Sequence, residues 1–554
     1  MPKRQRARAQ TPSRPPARQS RGVTYVWLLL VAAVTVLYGR TLGFDYVRAD
    51  DTDLVRDNQA FLGDLANAPA AFAQSYFAVA GQADPQAYYR PLVVLSLMLD
   101  AQLTGSDPAL YHATNVVLHT VAVLLVFVLL RRLGGSVTAA GTCALLLAVH
   151  PANVQTVAWI VGRNDSLMTI FGVLSLLALL RLLERPGRAE TVAHVGCLAL
   201  ALFTKETAVL LVGLYGLLVW SRTGTLDWFR QHAKVPAAYA VVAGLWYAAR
   251  SAVLAGQPSA GLGLLEHVRV MLGNLPQLVL YAGKALIPAR PSVMPGVDVA
   301  GLLAGAVAIV IGFLMLRLLP WRSAVLAGGW FLLFLLPVLA IPGLPAYEHR
   351  LYFPLIGLAT GASELATTRG WRLLDRAPLV AVVGVVVLLA SVAHRQTGVF
   401  RDATSYWESA TTGTPHAPIA LVNLGRMAEE RGRLDRAERL YREALELDPT
   451  IAKANNNLGT IFARREQYEE ARRLFELELA NHPANVEALF NLGLLYEVTG
   501  AAERSVEFWD RAILADPRFR PAYDELIAHF EGRGDAERAA SYRERLADAA
   551  PGSP

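Results

Sequence analysis

Residues 23–42 read VTYVWLLLVAAVTVLYGRTL, an uninterrupted, largely apolar run. An α-helix needs about 20 such residues to cross the roughly 30 Å hydrocarbon core of a bilayer. Seven Lys or Arg and no acidic residue precede the run within residues 1–22, and no small-residue cleavage site follows it. We therefore predict an uncleaved first membrane helix behind a basic, disordered cytoplasmic tail formed by residues 1–22.

The composition extends this prediction to most of the chain. Its 554 residues are 54% hydrophobic and 18% charged, with a mean hydropathy of +0.33, which is too apolar for an ordinary soluble protein. The net charge of +6 comes from the basic tail, since the remaining residues sum to −1. We interpret this charge as a signal for membrane topology, and we expect no nucleic-acid partner. The two cysteines, Cys143 and Cys197, lie in apolar segments and indicate neither a disulfide framework nor a zinc site.

Apolar runs predict an all-α transmembrane domain over residues 23–395 with eleven spans. The spans lie near residues 23–42, 111–130, 137–150, 166–183, 191–204, 207–221, 235–255, 299–317, 323–341, 351–366 and 376–393. Every connection on the N-terminal side then carries Lys or Arg, as the positive-inside rule requires. The apolar segment 266–288 must begin and end on the opposite side, which predicts an interfacial or re-entrant helix. The Ala- and Arg-rich composition is typical of a high-GC bacterium and favours a bacterial inner membrane.

Beyond a linker at 396–416, the chain repeats with a period of 34 residues. The units are 417–450, 451–484, 485–518 and 519–552, and proline closes each one. One column holds Leu424, Leu458, Leu492 and Leu526, and another holds the small residues Ala437, Ala471, Ser505 and Ala539. Small residues let two helices of a hairpin approach, and proline ends the second helix. We predict four tetratricopeptide-like repeats that form a short α-solenoid with a concave binding face.

Charged residues collect at helix ends that this topology places opposite the N-terminus, on the same side as the repeats. Asp50 and Asp51 follow the first span within FDYVRADDTD, residues 44–53. The others are Arg90, His150, Arg163, Asp165, Lys205, Glu206, His349 and Arg350. Charge beside a bilayer is costly and calls for a functional explanation. Arg and Lys suit an anionic group such as phosphate, although Lys205-Glu206 also fits a structural pair or an interfacial anchor.

Five stretches occur in a characteristic order. They are YRPLVVLS at 89–96, NVVLH at 115–119, HPANVQTVAWIVGRND at 150–165, Lys205-Glu206, and HRLYFP at 349–354. Together with the repeats, they resemble the transmembrane and tetratricopeptide-repeat protein O-mannosyltransferases and their bacterial relatives. The resemblance covers nearly the whole chain, and the 150–165 stretch is its most specific part.

The resemblance implies a GT-C glycosyltransferase that uses a polyprenyl-phosphate sugar and places an acidic motif in its first outer loop. By that match, Asp50 and Asp51 are the catalytic acidic pair. The chain departs from the family pattern in having Val47-Arg48-Ala49 before the pair, which leaves Asp45, Asp50 and Asp51 as alternatives for the base. The sugar, the acceptor and the use of a divalent metal stay open.

Sugar transfer from a lipid phosphate to a Ser or Thr hydroxyl needs a base for the hydroxyl proton and cations for the departing phosphate. We expect Asp50 or Asp51 to be the base. The donor-phosphate ligands are expected among Arg90, Arg163, Lys205 and Arg350. Further site residues are expected among His150, Asp165, Glu206 and His349.

The repeats are expected to bind the acceptor, a protein or peptide. Asn423, Asn457 and Asn491 occupy one column, immediately before the Leu that the repeats share. Their amides can hydrogen-bond an extended peptide backbone, which resembles the asparagine ladder of O-GlcNAc transferase. The alternative is that Asn-Leu-Gly is simply a frequent local solution in such repeats.

Two other classes of protein compete with the enzyme. A non-catalytic membrane scaffold would use the repeats to assemble partners, and its outer charges would tolerate neutralisation. A transporter would carry charges near the membrane midplane, but the predicted spans are nearly free of them. His112 and His119 lie two helical turns apart, and the sequence indicates no third ligand that would make them a metal site.

Overall fold

The computed structural model describes residues 17–80, 88–255, 263–288, 293–341, 346–372, 375–413 and 417–549. Residues 1–16 of the basic tail and residues 550–552 of the fourth repeat lie outside these ranges. The chain divides into two compact units, residues 1–406 and 407–554. The described residues contain helices and no strand, which confirms the all-α prediction.

The first unit is built from nineteen α-helices within the described ranges. The first eight are α1 Ala17–Tyr38, α2 Gln59–Leu62, α3 Ala70–Ala73, α4 Pro91–Thr104, α5 Pro108–Arg132, α6 Val137–Ala148, α7 Val154–Ala158 and α8 Arg163–Glu184. The next eleven are α9 Arg188–Leu202, α10 Leu211–Thr223, α11 Asp227–Gln231, α12 Lys234–Val253, α13 Leu264–Gly273, α14 Leu275–Leu286, α15 Val299–Arg317, α16 Trp321–Leu333, α17 Leu336–Ala340, α18 Pro354–Thr368 and α19 Arg376–Thr397.

In the part of the chain that the structure describes, six helical segments are long and apolar enough to cross a membrane, by length and composition. They are Arg21–Gly43, Pro108–Arg132, Ile160–Glu184, Val299–Arg317, Trp321–Ala340 and Arg376–Phe400. A seventh crossing results if Val137–Ala148 and Pro151–Ala158, which are bent by 54° at their junction, count as one span. The protein is therefore an integral membrane protein.

The remaining four predicted spans are helical as well, at α9, α10, α12 and α18. Helices α9, α10 and α18 have only 13 to 15 residues. At a rise of 1.5 Å per residue they reach roughly 20 Å, which is less than the hydrocarbon thickness. Each of the eleven predicted spans falls on a helix, but α4, which lies between the first two predicted spans, was not predicted, and α9, α10 and α18 are too short to cross alone.

Helix α8 lies at the centre of the bundle, packed against α5 and α9, while α6 packs against α5 and α18. The segment 266–288 forms two short helices, α13 and α14, and α14 packs against α15. These two backbones approach so closely that a Cβ on Gly305 would overlap the Val279 carbonyl oxygen. Helix α14 has 12 residues, or about 18 Å, so it cannot span the bilayer alone.

The long connection between α1 and α5 is folded and has its own core. Leu54, Val55, Leu62 and Val93 are all at most 1% exposed and pack in one cluster with Ile160 from the entry to α8. Burial of this size stabilises each large aliphatic side chain by about 1.5–3 kcal/mol. The acidic loop that follows α1 is therefore held against the helix bundle.

The second unit is a row of helical hairpins that follows α20 Ala403–Gly413. The helices are α21 Pro418–Glu430, α22 Leu434–Leu447, α23 Ala454–Arg464, α24 Tyr468–Asn481, α25 Val486–Val498, α26 Ala502–Ala515, α27 Arg520–Gly532 and α28 Ala536–Ala549. Each hairpin corresponds to one predicted 34-residue unit. The small column Ala437, Ala471, Ser505 and Ala539 is fully buried, at 0% exposure.

A glycine in each of the first three repeats faces a large ring on the partner helix. A Cβ on Gly425 would lie 2.4 Å from the Tyr441 ring, and one on Gly493 would lie 2.4 Å from Trp509 Nε1. Gly459 meets Phe475 in the same way. The fourth repeat has Ile527 in the glycine column and Arg543 in the aromatic column. The opposing ring therefore requires glycine in the first three repeats, and the fourth repeat, which has no ring in the facing column, has no glycine either.

Candidate active site

The acidic loop after α1 gives its two adjacent carboxylates different environments. Asp51 is 1% exposed. Its Oδ2 accepts a hydrogen bond from Val47 N at 2.8 Å, and its Oδ1 accepts one from Ala49 N at 3.1 Å. Arg48, between these two donors, has a left-handed φ of 54°. The Asp51 carboxylate therefore holds the turn together.

Asp50 is partly exposed, and no residue in the described ranges donates a hydrogen bond to its carboxylate. Burial raises the pKa of Asp50 to about 6, with a further rise from Asp53 and an opposing effect from Arg90. Burial likewise raises the pKa of Asp51 to about 7, against the lowering effect of its backbone hydrogen bonds. A carboxylate with a raised pKa and open lone pairs suits a general base, so Asp50 fits that role better than Asp51.

Arg90 lies beside this loop and is 9% exposed. Its Nη2 is 3.1 Å from Glu206 Oε2, and its guanidinium lies over the Tyr88 ring at 3.9 Å. The second Glu206 oxygen accepts a hydrogen bond from Tyr89 N at 3.0 Å. Glu206 thus fixes both the side chain of Arg90 and the backbone that leads into α4.

Lys205 pairs with Asp165 at the start of α8. Lys205 Nζ and Asp165 Oδ1 are 2.6 Å apart, and both side chains are about nine-tenths buried. Burial lowers the pKa of Lys205, Asp165 opposes this, and the charges of Arg90 and Arg350 lower it further. These effects place Lys205, Arg90 and Arg350 in one cationic cluster. Asp165 Oδ2 is buried without a hydrogen-bond partner among the described residues.

The short 3₁₀ turn Glu348–Leu351 completes the cluster. Arg350 lies over the Tyr347 ring at 5.4 Å and close to the Tyr281 hydroxyl, which donates a hydrogen bond to the Tyr347 carbonyl oxygen at 3.2 Å. His349 Nδ1 is 2.9 Å from Gln155 Oε1. Glu348 forms an ion pair with Lys284 of α14. The turn therefore connects the cluster to α14 and to the bent segment before α8.

Two residues expected at the site are engaged elsewhere. Arg163 is 0% exposed; its Nη1 is 2.6 Å from Asp100 Oδ2, and its Nη2 donates to the Tyr111 carbonyl at 3.0 Å. His150 Nδ1 accepts a hydrogen bond from Ala152 N, and its Nε2 lies 3.2 Å from the Ala285 carbonyl oxygen. Both side chains are positioned to stabilise the fold, which leaves Arg90, Lys205 and Arg350 for an anionic ligand.

Several residues of this cluster were absent from the expected site. They are Tyr88, Gln155, Tyr281, Lys284, Tyr347, Glu348 and Tyr76, whose ring lies 5.7 Å from the Arg90 guanidinium. Gln155 lies inside the 150–165 stretch and Tyr347 precedes the HRLYFP stretch, so both were within reach of a motif argument. Tyr281 reaches Arg350 across about 70 residues of chain, which no local pattern indicates.

The asparagine column of the repeats is only partly available to a ligand. Asn423 Nδ2 donates back to the Ile419 carbonyl of its own helix at 2.9 Å. Asn457 Oδ1 accepts from Asn456 Nδ2 at 3.2 Å, and Asn491 Nδ2 donates to Asn456 Oδ1 at 2.9 Å. All three side chains are half-buried. Peptide binding by this column would have to exchange these internal hydrogen bonds for new ones.

The described ranges contain no group of three or more His, Cys, Asp or Glu side chains arranged to hold a metal ion.

The fold and the site define a class: a polytopic membrane protein that joins a helix bundle with buried, paired charges to a C-terminal tetratricopeptide solenoid. Residues 90–250 match the family described as dolichyl-phosphate-mannose-protein mannosyltransferase. Residues 388–450 and 456–524 match the tetratricopeptide repeat family. The first match begins at Arg90 and includes Asp165, Lys205 and Glu206.

The chain is also similar to curated protein O-mannosyl-transferases. The chain is 34% identical over 199 residues to mouse protein O-mannosyl-transferase TMTC1, covering 34% of this chain and 21% of the relative. It is 36% identical over 129 residues to Drosophila melanogaster protein O-mannosyl-transferase Tmtc1, covering 23% and 15%. The matches thus span about a fifth of these relatives' length or less. They confirm the resemblance to the transmembrane and tetratricopeptide-repeat O-mannosyltransferases.

Among solved structures, the crystal structure of MamA aligns with a TM-score of 0.24 and 23% identity, covering 28% of this chain and 91% of that one.

We predict that Arg163→Leu destabilises the protein by about 3–5 kcal/mol, because it leaves the Asp100 carboxylate buried without its cation. The double variant Arg163→Leu, Asp100→Leu removes both charges and is expected to recover most of that loss. Thermal unfolding of the purified protein in detergent measures both effects. Equal stability of the single and double variants would contradict a structural ion pair.

Asp51→Asn is expected to destabilise the acidic loop by about 1–3 kcal/mol, because one of two backbone donors would face an amide NH₂ in place of an oxygen. Asp50→Asn, which breaks no such bond, should stay within about 0.5 kcal/mol of the wild type. The same unfolding measurement compares the two. The reverse order of stabilities would exchange the roles of the two carboxylates.

Proposed function

We propose that this protein is a membrane glycosyltransferase. It transfers a sugar from a polyprenyl-phosphate donor to a hydroxyl of an acceptor, the Ser or Thr of a protein. The observation that carries the proposal is the open Asp50 carboxylate beside a cluster of three cations, Arg90, Lys205 and Arg350. A base and phosphate ligands are the two elements that this reaction needs.

In the proposed reaction, Asp50 accepts the proton of the acceptor hydroxyl as its oxygen forms a bond to the anomeric carbon. The bond between that carbon and the phosphate oxygen breaks, and the electron pair leaves with the polyprenyl phosphate. Arg90, Lys205 and Arg350 stabilise the negative charge that the departing phosphate gains. Arginine does this with two donors in a plane, and lysine acts as a point charge.

The ion pairs Arg90–Glu206 and Lys205–Asp165 do not exclude this role. Each carboxylate uses few of the donors that its cation carries: Lys205 has three N–H bonds and Arg90 has five. Pairing also keeps the two cations charged and oriented inside a buried site before the ligand arrives. Such preorganised donors cost no rearrangement during the reaction.

The membrane location supports a lipid-linked donor. Removing a polyprenyl tail from the bilayer costs about 0.8 kcal/mol per CH₂, so an enzyme that keeps its donor in the membrane avoids that cost. We place the site on the extracytoplasmic face, with the N-terminus cytoplasmic and the repeats binding the protein acceptor. The distribution of Lys and Arg among the connections supports this orientation.

Asp50→Asn is expected to lower the transfer rate about 10²–10⁴-fold, since an amide cannot take the hydroxyl proton. The assay supplies undecaprenyl-phosphate mannose, glucose or galactose and a Ser/Thr-containing peptide to the purified full chain.

The wild-type rate of transfer in this assay should rise with pH through about 6 and level off above it, because burial raises the pKa of Asp50 to about 6 and only the ionised base acts.

Asp53→Asn is the matched control for this prediction. Asp53 raises the pKa of Asp50, so its neutralisation should keep the maximal rate and shift the pH midpoint to lower values. Wild-type activity in Asp50→Asn would remove Asp50 from the mechanism. No transfer from any of the three donors, together with tolerance of the charge substitutions in vivo, would favour the membrane scaffold.

A further inference from the structure

His349 is held in one tautomer by Gln155. Its Nδ1 lies 2.9 Å from Gln155 Oε1. An amide oxygen can only accept a hydrogen bond, so Nδ1 must carry the hydrogen. In a neutral imidazole the other nitrogen, Nε2, then has a lone pair and acts as an acceptor.

The surroundings keep that imidazole neutral. Burial holds the pKa of His349 well below its usual range, and the positive charges of Lys205, Arg350 and Arg90 lower it further. No residue in the described ranges donates a hydrogen bond to Nε2. The cationic cluster therefore contains one uncharged acceptor among its donors.

The Tyr347 ring lies against the same imidazole. The two ring centroids are 5.5 Å apart with an angle of 26° between the planes, a stacked arrangement. Burial and the Asp50 carboxylate raise the pKa of Tyr347, while Arg350 opposes them. Tyr347 is thus near both the proposed base and the proposed phosphate ligands, where the sugar between them would lie.

An acceptor nitrogen is unsuited to the phosphate itself. A phosphodiester is ionised at neutral pH and has no hydrogen to donate. The lone pair of Nε2 and those of a phosphate oxygen would therefore repel each other. A sugar hydroxyl has both a hydrogen to donate and oxygen lone pairs for the neighbouring cations.

The geometry points to His349 as a sugar-binding residue of the site: its Nε2 accepts a hydrogen bond from one hexose hydroxyl, beside the cations that bind the phosphate. This inference deepens the proposed function, on which it rests for the identity of the ligand. It gives the 349–354 stretch a role in selecting the sugar.

Binding measurements test the sugar contact without turnover. The probes are undecaprenyl-phosphate mannose, glucose and galactose, each compared with undecaprenyl phosphate by calorimetry on the purified full chain. The wild type should bind at least one glycosylated donor about tenfold more tightly than the bare phosphate, the value of one good hydrogen bond. His349→Phe, which keeps a ring and loses the acceptor, should bind both alike, with its affinity for bare undecaprenyl phosphate unchanged.

Gln155→Glu provides a second variant that leaves the histidine in place. A carboxylate next to Nδ1 favours the imidazolium form, which turns Nε2 into a donor. The preference for the glycosylated donor should fall as in His349→Phe. His394→Phe, at an exposed histidine near the end of α19, is the control and should keep the wild-type preference.

Monodeoxy analogues of the preferred donor identify the hydroxyl. Removal of that hydroxyl should weaken binding to the wild type about tenfold and leave binding to His349→Phe unchanged, whereas a structural role for His349 would weaken all analogues equally. Equal wild-type affinity for all donors and for bare undecaprenyl phosphate would overturn the inference. Normal donor preference without any transfer to a hydroxyl would instead overturn the proposed function.

Discussion

Each of four buried or nearly buried cations in the first unit is paired with a carboxylate from a distant part of the chain. Arg90 pairs with Glu206, Arg163 with Asp100, Lys205 with Asp165 and Lys284 with Glu348. An unpaired charge in such surroundings would cost several kcal/mol. This constraint connects α4, α8, α14 and the turn before α18. It fixes the positions of the groups that we assign to the reaction.

The pairs differ in what they leave available. Arg163 is fully buried, and its N–H groups donate to Asp100 and to backbone carbonyls. Arg90 and Lys205 are oriented by their carboxylates but keep further N–H donors. The same distinction separates Asp51, whose two oxygens hold a turn, from its neighbour Asp50. Residue type alone cannot make this distinction, because it depends on which polar groups the fold has already used.

Local patterns in the sequence were sufficient for the helices and the repeats. Hydropathy located the eleven long apolar helices, although it missed α4, and the 34-residue period located the hairpins, because both depend on short-range spacing. The resemblance brought Arg90, Asp165, Lys205, Glu206, His349 and Arg350 into the expected set, and these residues do lie in one cluster. The grouping of Arg163 with the phosphate ligands could not be judged from sequence, because its partner Asp100 lies 63 positions away.

Long-range contacts account for the remainder. Gln155 and His349 are separated by 194 positions, and their hydrogen bond decides which imidazole nitrogen is the acceptor. Tyr281 reaches Arg350 from a segment that the sequence indicated only as apolar. The asparagine column was correctly aligned, yet the hydrogen bonds of Asn491 and Asn457 with Asn456 become visible only in the folded repeats.

We propose that this chain attaches a sugar to proteins with Asp50 as the base. The most direct test is glycopeptide mass spectrometry of the envelope proteins from cells that produce the wild type, the Asp50→Asn variant or no copy of the protein. We predict hexose-modified Ser or Thr peptides with the wild type only, at equal protein levels of the wild type and the Asp50→Asn variant. Identical glycopeptides in all three samples would contradict it.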